Sequence, residues 1–172
     1  MKNRRTLILM RHAQTEETRP GSRDTDRRLT LDGEEQARDA GAFLRQQGII
    51  FDAVLCSSAV RAKQTLELLD LADDAAPDIS ERYYNAGTDT LIEAIMALPD
   101  DCRTALLVGH APGVPGLVHE LCDEATSVPD AFRSIASRFP AGALARLEFD
   151  GSWTAVGTSR LVSARYPNGP HR

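Results

Sequence analysis

The sequence predicts an α/β fold, specifically a three-layer α/β/α sandwich with a mainly parallel sheet and a C-terminal antiparallel hairpin. Short apolar runs of strand length alternate with amphipathic helical patterns from residue 6 to residue 121. Two alternating segments then flank Asp150-Gly151, a dipeptide typical of a two-residue hairpin turn. A chain of 172 residues fits one domain, for which we expect residues 1–166, with 167–172 as a disordered tail.

Composition and charge narrow the classes of protein to which this chain can belong. Hydrophobic residues make up 42% and charged residues 26%, which is typical of a globular domain. The net charge of −5 argues against a nucleic-acid partner or an anionic membrane surface. No apolar run approaches the roughly 20 residues that span a bilayer. The odd number of cysteines without CxxC spacing indicates reduced thiols and a cytoplasmic protein.

A long polar segment separates the first predicted strand from the first predicted helix. Residues 6–11 are mostly apolar, which predicts a strand that is buried on both faces. The polar segment 13–30 is longer than an ordinary connection, and loops of that length are often functional. A helix is then expected from Thr30 or Asp32, either of which can cap its first turn, to Gly48, which ends it.

The remaining elements continue the alternation of strands and helices. Ser57 and Ser58 are expected to cap the second helix. Residues 123–133 are expected to form a loop, and 123–139 to cover either a pocket mouth or the core. The full expected order is strand 51–56, helix to about Leu71, acidic loop 73–78, helix 90–98, strand 104–109, helix 112–121, and hairpin strands 143–149 and 153–162.

Two predicted strands end in a histidine. Arg11 and His12 close the first strand, and His110 follows the strand that ends at Gly109. Ligands collect at the carboxyl ends of parallel strands, so the two imidazoles are expected at one edge of the sheet. A guanidinium group can bind an anion there, and an imidazole can attack it. The pattern predicts an active site for an anionic substrate.

Arginines occur at the same strand-to-helix junctions. Arg27 and Arg28 precede the first helix, and Arg61 lies in the first turn of the second helix. Several guanidinium groups can hold a phosphate dianion through paired hydrogen bonds, and helix N-termini add backbone N–H donors. The anion is therefore predicted to be a phosphoryl group.

Four motifs in order resemble the histidine phosphatase superfamily, and their form is most similar to its SixA-type phosphohistidine phosphatase branch. They are RHA at residues 11–13, RxLT at 27–30 followed by Gly33, SxxxRAxQT at 57–65, and GHAPG at 109–113. The resemblance extends from about Thr6 to Leu121, roughly two thirds of the chain. It implies a phosphoglycerate mutase-like fold and a phosphatase that needs neither a metal nor another cofactor.

The resemblance also implies a role for each matching residue. His12 would be the nucleophile and would carry a transient phosphohistidine. Arg11 and Arg61 would bind the phosphoryl oxygens, and His110 would complete the pocket. Arg27 matches the arginine of the family's RPLT segment, in which the proline is replaced here by Arg28.

Other residues are weaker candidates. Glu81, in a segment similar to the family's ERxY, is the candidate general acid, with Asp89 behind it. Thr15, Ser57 and Arg28 are further candidates for contact with the phosphoryl group. Tyr83 and Tyr84 are expected either to pack the rim or to touch the substrate.

Three functions remain open from the sequence. About fifty residues separate Arg61 from His110, too few for the cap insertion of the sugar-phosphate mutases, so the pocket is expected to be open. An open pocket favours a phosphohistidine-bearing protein of signalling or phosphotransfer as substrate. The alternatives are a phosphatase of small phosphomonoesters and a noncatalytic phosphate-binding module. The oligomeric state is left open.

Overall fold

A computed structural model of the chain describes residues 3–71 and 75–167, in which six strands form one sheet in the order β3-β2-β4-β1-β5-β6. β1, β2, β3 and β4 are parallel, whereas β5 is antiparallel to β1 and β6 is antiparallel to β5. The predicted mainly parallel sheet with antiparallel C-terminal strands is therefore confirmed. The strands are β1 Arg4–Arg11, β2 Ala53–Ser57, β3 Asp78–Ser80, β4 Thr104–Gly109, β5 Leu144–Asp150 and β6 Arg160–Arg165.

Helices cover both faces of the sheet. They are α1 Leu31–Gln46, α2 Val60–Leu69, α3 Thr88–Met96, α4 Gly113–Leu121 and α5 Pro129–Ser137, with short 3-10 helices at Asp24–Asp26, Glu81–Tyr83 and Trp153–Thr158. Side chains of α1 and α2 share one hydrophobic cluster, and those of α3, α4 and α5 share the other. The result is the three-layer sandwich that the sequence predicts.

β1 is apolar at successive positions because it lies at the centre of this sandwich. Leu7 and Leu9 pack into the cluster of α3 and α4, whereas Ile8 and Met10 pack into the cluster of α1 and α2. All four side chains are fully buried. Alternate residues of a strand point to opposite faces, so a strand covered on both faces needs a continuous apolar run.

The predicted helix starts are partly right. Thr30 is the N-cap of α1, and its Oγ1 accepts a hydrogen bond from the Gly33 N–H. The prediction that Ser57 and Ser58 cap α2 is wrong, since the N-cap is Ala59 and no side chain caps this helix. Ser57 is instead the last residue of β2, and its buried side chain lies against the His110 ring.

The predicted two-residue turn at Asp150-Gly151 is also wrong. The connection between β5 and β6 contains the 3-10 helix Trp153–Thr158, and β6 begins only at Arg160. Trp153 is the physical reason, because its buried indole donates a hydrogen bond to the Cys102 carbonyl and packs against Phe149. Burying this large ring folds the connection onto the core, where the alternating pattern had suggested a strand.

The loop predicted over 123–133 gives way to α5 after Val128. Pro129 occupies the first turn of α5, where its missing N–H costs nothing, and Ile135 of this helix is buried in the core. The sequence also missed β3, whose three residues are too few to show a period. Part of the predicted acidic loop, Asp73-Asp74, and residues 168–172 of the predicted disordered tail lie outside the described residues.

No helix in the described ranges is long and apolar enough to cross a membrane. The three cysteines, Cys56, Cys102 and Cys122, are free and buried. Burial raises the pKa of the Cys56 thiol to about 12.

Candidate active site

The carboxyl ends of β1 and β4 and the first turn of α2, which follows β2, border one open cleft of about 550 Å³. Four of the residues predicted for the site, Arg11, His12, Arg61 and His110, lie together in its wall, with Arg27 and Thr15 beside them. Its complete lining is Arg11, His12, Gln14, Thr15, Asp24, Arg27, Arg61, Tyr84, Asn85, His110, Ala111 and Ala141. The four sequence motifs thus converge on a single cleft.

His12 is held rigidly at the end of β1. Its backbone N–H donates to the Gly109 carbonyl of β4, and the next N–H, of Ala13, donates to Thr65 Oγ1. The ring atom Nδ1 lies 2.8 Å from the Ala13 carbonyl oxygen. A carbonyl oxygen can only accept, so Nδ1 carries the ring proton and Nε2 keeps its lone pair. Nε2 is therefore the atom available for attack.

The charge state of His12 suits a nucleophile. Burial lowers the pKa of His12 to about 4, opposed by the hydrogen bond to Ala13 and assisted by Arg61, Arg11 and Arg27. The ring is consequently neutral at neutral pH, with the Nε2 lone pair free of a proton.

Arg61 connects His12 with Asp24 in the cleft wall. Its guanidinium is almost fully buried, with Nε donating to His12 Nε2 over 3.2 Å. Nη1 donates to the Asp24 carbonyl over 2.7 Å, and Nη2 donates to the Asp24 carboxylate over 2.9 Å. The backbone oxygen of Arg61 accepts from the Thr65 hydroxyl, so Thr65 connects the helix that carries Arg61 to the loop that follows His12.

Arg11 has unused hydrogen-bonding capacity in the cleft. Nη1 donates to the Phe139 carbonyl over 3.0 Å, whereas Nε is buried and has no partner among the described residues. Burial, followed by the charge of Arg61, lowers the pKa of Arg11. Burying a donor without a partner costs free energy. The Arg11 side chain lines the cleft, so its guanidinium can offer donors to an anion there.

Arg27 enters the cleft and Arg28 does not. Arg27 donates to the Glu16 carbonyl, to Thr15 Oγ1 over 2.5 Å and to the Asp24 carboxylate over 3.1 Å. Arg28 is exposed and is absent from the cleft lining. Thr15 lines the cleft as well, and its hydroxyl fixes the Arg27 guanidinium.

His110 faces His12 across the cleft, with 5.1 Å between the ring centroids. Its Nε2 lies 2.7 Å from Ser57 Oγ, while Nδ1 is buried without a partner in the described part of the chain. The Tyr84 ring packs edge-on against it at 5.4 Å. Burial, then the charge of Arg61, lowers the pKa of His110 to about 3, so this imidazole is also neutral.

Asp24 is a residue of the cleft wall that the sequence did not single out. Its carboxylate accepts from the Tyr84 hydroxyl over 2.6 Å, from Arg61 and from Arg27. The Tyr84 hydrogen bond is the largest cause that lowers the pKa of Asp24 to about 2, with Arg27 and Arg61 contributing. The only signal was indirect, since the long segment 13–30 was expected to be functional.

The two predicted acid candidates are not brought into the cleft. Glu81 and Asp89 are exposed, and neither lines the cavity. Tyr84, three residues after Glu81, is the residue of that segment that reaches the cleft. The carboxylate in the cleft wall is that of Asp24.

The arrangement is suited to a tetrahedral oxyanion. Three guanidinium groups and two neutral imidazoles face one cavity, and charge-assisted hydrogen bonds from such groups are the strong ones. Within the described ranges, no cluster of three His, Cys, Asp or Glu side chains could hold a metal ion. The guanidinium and imidazole groups in the cleft wall are those of an anion site.

Comparisons with known proteins agree with this geometry. The family model described as histidine phosphatase superfamily (branch 1) matches residues 7–86. An uncharacterized protein of Mycobacterium tuberculosis is 36% identical over 160 residues, which are 92% of this chain and 99% of the relative. A solved structure from Nakamurella multipartitia, provisionally described as a SixA phosphohistidine phosphatase, is 33% identical with a TM-score of 0.84. That similarity covers 96% of this chain and 98% of the other.

A phosphoglycerate mutase from Plasmodium falciparum shares the fold, with a TM-score of 0.61, 18% identity and 98% of each chain covered. The chain thus has the phosphoglycerate mutase-like fold, and it belongs to the histidine phosphatase superfamily. Within that superfamily its similarity is to the SixA-type branch. These relationships support a hydrolase of the phosphatase type.

Proposed function

We propose that this protein is a phosphohistidine phosphatase that removes the phosphoryl group from a signalling or phosphotransfer protein through a transient phosphohistidine on His12. One observation carries the proposal: a neutral His12, with its Nε2 lone pair unprotonated, stands among three guanidinium groups in an open cleft. The SixA-like structure from Nakamurella multipartitia supports the choice of substrate. The buried, free cysteines suit the cytoplasmic location expected for such a reaction.

The first half of the reaction transfers the phosphoryl group to the enzyme. The Nε2 lone pair of His12 gives up its hydrogen bond from Arg61 Nε and attacks phosphorus in line with the bond to the leaving nitrogen. The electron pair of the broken P–N bond leaves with the substrate imidazole. Arg11, Arg61 and Arg27 stabilise the charge on the equatorial oxygens, which is the main contribution of a protein to phosphoryl transfer. The Nδ1–H of His12 remains bonded to Ala13 and stabilises the charge that develops on the ring.

The second half releases inorganic phosphate. Water attacks the phosphorus of phosphorylated His12, the P–N bond breaks, and the electron pair returns to Nε2. The phosphorus is attacked by His12 in the first half and by water, from the opposite side, in the second half. The three equatorial oxygens stay between these two sides, so the same guanidinium groups bind them in both halves. His12 ends neutral and ready for another cycle.

The groups around the cleft favour a P–N bond over an alkyl phosphate. An alkoxide leaving group needs a proton donor, whereas an imidazole that is already protonated leaves without one. Asp24, with its pKa near 2, is ionised and is a poor proton donor, and Glu81 is exposed outside the cleft lining. The absence of a protonated acid in the described cleft wall therefore weighs against small phosphomonoesters as the main substrates.

Phosphate release tests the proposal. Wild-type protein, the His12→Ala variant and the matched His119→Ala variant, which changes an exposed histidine on α4, are compared on a phosphohistidine protein and a panel of phosphomonoesters. We expect turnover of the phosphohistidine protein by wild type and His119→Ala, and a loss of more than about 10³-fold in His12→Ala. Turnover of the esters alone would replace the proposed substrate class, and full activity of His12→Ala would refute the mechanism.

A further inference from the structure

Ser57 is buried behind His110 and not exposed in the cleft. It is the last residue of β2, has no accessible surface and is not part of the cavity lining. Its Oγ lies 2.7 Å from His110 Nε2 and 3.3 Å from the Ala59 N, which donates to it. Ser57 is therefore placed to act on the His110 ring and not on a bound phosphoryl group.

The position of one proton decides what His110 offers to a ligand. The ring is neutral, so a single nitrogen carries the proton, and Nδ1 is the buried nitrogen without a partner in the described structure. With the proton on Nε2, this nitrogen would donate to Ser57, and Nδ1 would present a lone pair. With the proton on Nδ1, Ser57 would donate to Nε2, and Nδ1 would present an N–H.

The second arrangement gives the buried Ser57 hydroxyl proton an acceptor, which the first arrangement does not. The Ser57 oxygen accepts from the Ala59 N–H. Its own proton is buried and needs an acceptor, and His110 Nε2 lies at hydrogen-bond distance. In the first arrangement the hydroxyl proton would be buried without an acceptor among the described residues, which costs free energy. The Nδ1 lone pair would also repel an anion held by the nearby arginines. The second arrangement avoids both penalties, and the Nδ1–H of His110 is then a buried donor that has no partner among the described residues until an anion binds.

We propose that Ser57 is a positioning residue that keeps the ring proton of His110 on Nδ1, so that His110 donates a hydrogen bond to the bound phosphoryl group. This inference rests on the proposed function only in requiring that a phosphoryl group occupies the cleft. It replaces the expectation that Ser57 itself contacts phosphate. It also explains why a neutral histidine belongs in an anion site, because its donor is fixed without the cost of burying a further positive charge beside the three guanidinium groups.

The tautomer can be observed directly in the wild-type protein. Two-bond ¹H–¹⁵N correlation spectra distinguish a ring protonated on Nδ1 from one protonated on Nε2, and His110 is assigned from its loss in His110→Gln. We expect the Nδ1–H pattern at pH 7 in the free protein. The Nε2–H pattern would overturn the proposal, and this measurement needs no variant of Ser57 to fold.

Variants of Ser57 then test the cause and the consequence. In Ser57→Ala the tautomer is expected to shift toward Nε2–H, and the affinity for inorganic phosphate, measured by calorimetry, to fall about 10-fold, as for one lost hydrogen bond. Ser57→Thr keeps the hydroxyl and is expected to restore both. The matched control is Ser58→Ala, since the hydrogen bond of Ser58 to Ser80 uses its backbone N–H.

Wild-type tautomer and wild-type phosphate affinity in a folded Ser57→Ala variant would refute the positioning role. These readouts do not depend on which phosphorylated substrate is turned over. If phosphohistidine is not hydrolysed but the tautomer and phosphate affinity respond as expected, the proposed function fails and this inference stands. If phosphohistidine is hydrolysed and neither readout responds, the reverse holds.

Discussion

Asp24 organises the cleft at the scale of single residues. Its carboxylate joins Tyr84, Arg61 and Arg27, and Arg61 in turn donates to His12 Nε2, the nitrogen proposed to attack phosphorus. The negative charge orients two of the three guanidinium groups before any substrate arrives. Preorganised donors of this kind lower the barrier to reaction because they need not reorient when charge develops.

Asp24→Asn should therefore slow phosphate release. The amide keeps the shape of the side chain but loses the charge that holds Arg61 and Arg27, so we expect a fall of about 10-fold in kcat with the fold preserved. Asp26→Asn is the matched control, because Asp26 lies in the same 3-10 helix and pairs with Arg23. Equal rates for the two variants would contradict the role of Asp24.

His12 should remain neutral far into the acidic range. Burial lowers its pKa to about 4, from an ordinary value of 6.5, so the ring gains its proton only as the pH falls through 4. An NMR titration of the free protein, with His12 assigned from its loss in His12→Gln, should give a midpoint near pH 4. A midpoint near 6.5 would mean that burial and the arginines do not act on this ring as described.

At the scale of elements, the start of α1 is packed directly against the segment that follows His12. A Cβ built on Gly33 would lie 2.0 Å from the Gln14 carbonyl oxygen, so only glycine fits there. The Thr30 hydroxyl donates to Gln14 Oε1, and the Thr30 N–H donates to the Gln14 carbonyl. α1 thus supports the loop that carries the cleft wall.

Gly33→Ala should destabilise the protein by about 1–3 kcal/mol, because the added methyl group must displace backbone atoms. We also expect reduced phosphatase activity, since the displaced segment contains cleft residues. Gly87→Ala is the matched control, as a Cβ there meets nothing within 4 Å and φ is −73°. Chemical denaturation measures both changes, and similar values for the two variants would show that the contact with Gln14 is easily relieved.

The elements also show which features a sequence can reveal. β1 and β4 are continuous apolar runs, so their ends, and with them His12 and His110, could be located from the sequence and placed at one edge. Asp24 could not, because its contacts depend on the path of segment 13–30 and join residues 37 and 60 positions apart. The alternation after Trp153 is compatible with a strand, and only the burial of the indole decides for a 3-10 helix.

At the scale of the whole molecule, β1 has the cleft at its carboxyl end and a buried cluster around Arg5 and Trp153 at its amino end. His12 follows its carboxyl end, whereas Arg5 near its amino end is buried and donates to the backbone oxygens of Gly151, Cys102 and Asp100. The Arg5 guanidinium also lies over the Trp153 ring, 5.4 Å from the centroid. This cluster fastens the β5–β6 connection to the core.

Trp153→Ala should therefore lower stability without altering the cleft. We expect a loss of about 3–5 kcal/mol in the free energy of unfolding, as for other buried aromatic side chains, and an unchanged kcat well below the melting temperature. Trp153→Phe keeps a ring but loses the hydrogen bond to Cys102, and should cost about 1 kcal/mol. A large fall in kcat of the folded Trp153→Ala variant would show that the two ends are coupled.

The cleft is a cationic site within an anionic protein. The chain carries a net charge of −5, whereas three guanidinium groups face the cleft against the single carboxylate of Asp24. An acidic protein of the proposed substrate class would thus be repelled at long range and attracted once its phosphoryl group reached the arginines. Added salt screens both effects, over a Debye length of about 8 Å at physiological ionic strength. Raising the ionic strength should therefore increase the association rate of such a partner while it lowers the affinity of the cleft for the phosphoryl group.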